Sequence, residues 1–165
     1  MNSSHKVKLC LYLEDLRVGQ RFVSGTHWID EEQVRIFAKQ FDPQPFHLDP
    51  ETAKATLFEG LVASGWHTAA ITMRLLVESG LSIAGGIIGA GGEINWPNPT
   101  RPGDFLQVES EVLELRPSRS RPDRGIATIR SETRNQRGEV VQVLVAKLVV
   151  PRSKASTHSD AAPSL

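Results

Sequence analysis

The sequence predicts an α+β fold in which a curved antiparallel sheet wraps around one long buried helix. Three observations predict it. Residues 65–79 read as a helix that is apolar around most of its circumference, which marks it as buried. That helix is too short to cross a bilayer, which takes roughly 20 apolar residues, so other elements must cover it. Beyond residue 104 the chain runs in three apolar–polar segments separated by turn signals, and these supply the sheet. A curved sheet around one helix leaves a flank open, and a second copy is the expected cover.

Composition narrows the function. The chain has 165 residues, enough for a single domain with a real core. Lys plus Arg is 19 and Asp plus Glu is 19, so no overall field draws nucleic acid or an anionic membrane. Cys10 is the only cysteine, which excludes an intramolecular disulfide and a cysteine-rich zinc site and suits a cytoplasmic location. No apolar run is long enough for a signal peptide or a membrane span. Residues 1–8 read as a flexible N-terminus, 9–151 as one domain, and the Ser-, Ala- and Pro-rich 152–165 as a disordered tail.

Taken in order, Tyr12 to Val18 reads as an extended approach and Arg21 to Ile29 as a strand interrupted at Gly25. His27 in that strand reads as structural. Asp30 is a good N-cap, with Gln33 at the capping-box position, and Val34, Phe37, Ala38 and Phe41 repeat at helical spacing. The stretch Phe41 to Asp49 follows. Pro43 and Pro45 make it a stiff, extended link rather than a helix. Asp49-Pro50 opens a short helix to about Thr56. Ser64 caps the long helix and Gly80 stops it. The glycines between Ser82 and Gly92 lack a nucleotide-binding fingerprint and read as a flexible entry into a strand over Glu93 to Trp96. Arg101-Pro102-Gly103-Asp104 is a turn. Strands follow over Phe105 to Leu115, with a bulge near Leu113, over Ile126 to Thr133, and over Val140 to Val150, the last apolar on both faces like a central strand. The arginines between Arg116 and Arg124 read as a solvated turn, with phosphate contact as the alternative.

The stiff link places an acid, Asp42, and a base, His47, five positions apart. Acid–base chemistry needs its groups held in place, and the prolines do this locally. Phe37-Ala38, Asp42, Pro45, His47, Asp49 and Ala53 resemble the hydratase-2 motif of MaoC-like dehydratases. Gly65 resembles that family's glycine at the start of the central helix, and Pro99-Thr100-Arg101-Pro102-Gly103-Asp104 its downstream segment. The resemblance spans Tyr12 to Val150. It departs at Gln44, where the family has Asn, and at Ser64, where His is frequent.

The resemblance implies a hot-dog fold and the interconversion of trans-2-enoyl and (R)-3-hydroxyacyl thioesters of coenzyme A. It implies no metal or redox cofactor, and dimers or higher homo-oligomers. Chemically, water must lose a proton as it attacks C3, C2 must gain one, and charge on the thioester oxygen must be stabilised. Asp42 and His47 are the candidates for the first two tasks. The Gly65 N–H, at a helix N-terminus with no internal partner, is the candidate for the third. Gln44, Ser64, Trp66 and His67 are candidate substrate contacts, His67 with a structural role as its alternative. A hot-dog thioesterase and a non-catalytic acyl-thioester binding domain are the competing functions.

Overall fold

The computed structural model describes residues 10–153. The flexible N-terminus expected over 1–8 lies outside the described residues, as does the tail beyond Ser153.

Five strands form one antiparallel sheet in the order β1-β3-β4-β5-β2. They are β1 (Arg21–Trp28), β2 (Ile88–Asn95), β3 (Phe105–Pro117), β4 (Arg124–Arg134) and β5 (Val140–Pro151). The long helix α4 (Gly65–Glu78) lies across the sheet, chiefly over β1 and β3. Its inner face, Ile71, Leu75 and Leu76, packs with Leu106, Val108, Val112 and Ile129 into the core. Alternation along β3 and β4 makes this possible, because every second side chain reaches the same face. The predicted bulge in β3 falls between Val112 and Glu114. In β1 the register shifts between Val23 and Thr26, at the interruption predicted at Gly25.

Three shorter helices precede α4: α1 (Glu31–Phe41), α2 (Pro45–Leu48) and α3 (Pro50–Lys54). Asp30 caps α1, its Oδ1 accepting from the Gln33 N–H at 2.7 Å. The Gln33 side chain does not close a capping box. It donates to the Trp28 carbonyl and meets His27 Nε2 at 3.0 Å. Asp49 caps α3.

Four expectations need correction. The link after Asp42 is extended only as far as Gln44, and Pro45–Leu48 then makes one helical turn. Pro45 sits at the first position of that turn, where a missing N–H costs nothing and the fixed φ suits a helix. Tyr12 to Val18 contains a 3₁₀ turn over Leu13–Asp15, closed by the Asp15 carboxylate on the Tyr12 N–H. Strand β2 begins inside the glycine run, at Ile88. Gly92 is needed there because a Cβ would sit 2.5 Å from the Val145 carbonyl oxygen of β5. Finally, α4 is not wrapped all round. Trp66, Met73 and Val77 form an exposed stripe, 60%, 39% and 52% accessible, because a five-stranded sheet covers only one side of the helix.

Candidate active site

A cavity of about 660 Å³ opens at the N-terminus of α4. Asp42, Gln44, His47, Ser64, Gly65 and Trp66 all line it, so six of the seven sequence-predicted site residues meet in one place. The seventh, His67, does not line it. It points to the other side of α4, buried, with its ring stacked on Phe37 at 4.5 Å. Its Nδ1 has no hydrogen-bond partner among the described residues. Burial, and secondarily the charge of His27, lowers its pKa to about 4.

Asp42 ends α1. Its own backbone N–H still donates to the Ala38 carbonyl. The next turn, α2, carries His47 back towards it. His47 Nε2 lies 3.3 Å from Asp42 Oδ2. On the far side of the ring, His47 Nδ1 meets the Val62 carbonyl oxygen at 2.7 Å. A carbonyl only accepts, so this nitrogen carries the proton and Nε2 faces Asp42 with its lone pair. Ring and carboxylate thus present two acceptors to one point.

Two side chains hold the carboxylate. Ser64 Oγ donates to Asp42 Oδ2 at 2.6 Å and Gln44 Nε2 donates to Oδ1 at 2.7 Å. Burial alone would raise the Asp42 pKa. The bonds from Ser64 and Gln44 are the chief opposing causes, and the carboxyl lies below its ordinary value. Gln44 therefore reaches the acid although it is one methylene longer than the family's Asn. Ser64 also caps α4, as the sequence predicts: its Oγ accepts from the Trp66 N–H at 3.2 Å, so one hydroxyl ties the acid to the start of α4. The bond to Asp42 is the part that sequence reasoning missed. No local signal links Ser64 to Asp42, which is 22 residues away.

Ser64 takes the Trp66 N–H, and Gly65, the first residue of α4, lines the cavity. Its lack of a side chain has a structural cause. A Cβ on Gly65 would stand 2.8 Å from the Trp96 indole. Trp96 is held by a bond from its Nε1 to Gln142 Oε1 at 2.9 Å and packs edge-on against Trp66.

Thr68 bonds Thr100 as well as its own helix, and Thr72 bonds Thr133 on β4 rather than a helix carbonyl. Arg74 pairs with Glu78 on the surface, as its spacing suggests. Arg116, Arg119, Arg121 and Arg124 cluster at the far ends of β3 and β4, away from the cavity, and Arg124 is paired with Asp123. Among the described residues no three His, Cys, Asp or Glu gather as a metal site, and no helix is long and apolar enough to cross a membrane.

The family model of the MaoC-like domain matches residues 16–135. The chain belongs to the MaoC-like family. A crystal structure of the MaoC-like dehydratase from Rhodospirillum rubrum superposes with a TM-score of 0.85 at 64% identity, covering 87% of this chain and 98% of that one. An uncharacterized Bacillus subtilis protein, YdeM, is 36% identical over 76% of this chain and 88% of its own length. The (R)-specific enoyl-CoA hydratase of Aeromonas caviae is 30% identical over 84% of this chain and 98% of its own. The fold is the hot-dog fold of this MaoC-like hydratase family.

Proposed function

We propose that this MaoC-like protein hydrates trans-2-enoyl thioesters of coenzyme A to (R)-3-hydroxyacyl thioesters, and catalyses the reverse dehydration. One observation carries the proposal. Asp42 and His47 offer two acceptors, 3.3 Å apart, to a single point in the cavity. A water there donates one hydrogen to each, which leaves a lone pair for C3.

His47 Nε2 takes the proton as the water oxygen attacks. Asp42, whose carboxyl is held low, remains the anion that orients the water and stabilises the imidazolium. Charge moves onto the thioester oxygen, where the Gly65 N–H donates to it. One such donor is worth about 3–4 kcal/mol. The imidazolium then delivers its proton to C2. This sequence uses no metal or redox cofactor. Gln44 and Ser64 act as positioning residues for Asp42, and Trp66 and Trp96 as walls.

The protein works as a homodimer. Support comes from the exposed Trp66, Met73 and Val77 on α4, and from β2, an edge strand whose Ile88 is 54% exposed. A second copy laid along this flank covers both.

The test is loss of the conjugated absorbance of trans-2-enoyl-CoA substrates of short, medium and branched chain, with thiol release followed in parallel. Absorbance loss without thiol release is expected. Thiol release alone would make the protein a thioesterase, and tight binding without either would make it a binding domain.

A further inference from the structure

Among the described residues, Arg101 is the only lysine or arginine lining the cavity. The turn that carries it is tightly made. The Arg101 N–H donates to Asp104 Oδ2 at 2.9 Å, and the Asp104 N–H returns to the Arg101 carbonyl at 3.1 Å. This fixes the backbone from which the side chain starts. The guanidinium then lies against Gly60, and Nη2 donates to the Phe58 carbonyl at 2.7 Å. That bond uses one of five N–H donors.

Glu139 is near enough to feel the Arg101 charge, but it is not in ion-pair contact with it. The acids of the adjoining turn, Asp104 and Glu139, are bound instead to Arg137, at 3.2 and 2.9 Å. Among the described residues Arg101 makes no ion pair. A half-buried arginine normally has an acidic partner, because its charge is costly to take out of water. Here the fork is held at the cavity wall with most of its donors unused. Its planar geometry matches the paired oxygens of a carboxylate or phosphate. Apolar Phe46, Leu57, Phe58 and Val62 line the same cavity.

We propose that Arg101 is an anion subsite of the cavity, which binds an oxyanion group of the acyl thioester remote from the reacting double bond. The group is either a terminal carboxylate on the acyl chain or a phosphate of coenzyme A. This rests on the acyl-thioester reading above.

The experiment measures binding of three saturated ligands by calorimetry, so that it is independent of turnover. They are butyryl-CoA, glutaryl-CoA and butyryl-pantetheine, the last without phosphates. If a phosphate is the ligand, Arg101→Gln weakens both CoA thioesters by about tenfold or more, the scale of a lost charged hydrogen bond, and leaves butyryl-pantetheine unchanged. If a carboxylate is the ligand, only glutaryl-CoA weakens. Arg101→Lys, which keeps the charge and loses the fork, gives a smaller loss in the same pattern and serves if Arg101→Gln does not fold. Unchanged binding of all three ligands overturns the proposal. So does equal weakening of all three, which would make Arg101 only a clamp on the Phe58 loop. Hydration of crotonyl-CoA by the wild type separates the two claims. Activity with no Arg101 effect sinks the subsite alone. No activity and no binding sinks both.

Discussion

Gly65 shows how one position can answer two demands. It lines the cavity at the start of a helix, and its missing side chain is the space that Trp96 fills. A methyl group there must push an indole that is pinned to Gln142. Gly65→Ala is therefore expected to cost about 1–3 kcal/mol, the usual range for overpacking. The cost should shrink in a Trp96→Ala background, because the clash is then gone. Thermal unfolding of the four proteins in this cycle measures the coupling. An equal cost in both backgrounds would show that Trp96 is not what requires the glycine. The neighbouring hydroxyl of Ser64 matters differently. It caps α4 and holds Asp42 ionised, so the helix start and the acid are placed by the same atom.

Among the elements, the α1–α4 contact carries a pH dependence of its own. His67 is buried there against Phe37 with its pKa lowered to about 4, from an ordinary 6.5. Between those values the unfolded chain binds a proton that the folded chain refuses. Stability from this group is complete above about 6.5 and is lost as pH falls towards 4. His67→Phe keeps the stack and removes the titration. Its melting temperature should fall less than the wild type's between about pH 7 and about pH 5. Parallel curves would mean that His67 is not the source. The elements also show what a sequence reveals. Helices α1, α3 and α4 were legible because their caps, Asp30, Asp49 and Ser64, are local signals. Strands β3 and β4 were legible from alternation, and β5 from a run apolar on both faces. The turn α2 was missed because Pro45 was read as a breaker when it stands at a helix start. The early start of β2 was missed because Gly92 answers to the Val145 carbonyl, which is distant in sequence. The acid–base pair was visible in the spacing of Asp42 and His47. Their hold on Ser64 and Val62 was not, since only the folded chain brings those residues together.

At the scale of the whole molecule, the incomplete covering of α4 is the outstanding feature. Helix α4 lies towards β1 and β3, and an apolar hollow lined by Met73, Leu76, Leu144, Ala146 and Leu148 is left beside β5. Strand β2 is the edge of the sheet on that side among the described residues. The proposed dimer would bury the stripe and continue the sheet along this flank. Met73→Glu sets an uncompensated charge in that interface and should shift the protein from dimer to monomer in light scattering. A wild type that is monomeric at assay concentration would remove the dimer from the account.

The central claim is that Asp42 and His47 hold one water for addition to an enoyl thioester. The direct measurement is the rate of absorbance loss from trans-2-enoyl-CoA for the wild type, Asp42→Asn and His47→Ala, each confirmed folded. The account predicts turnover by the wild type and a drop of about 10²–10⁴-fold in each variant. Turnover at the wild-type rate in either variant would contradict it.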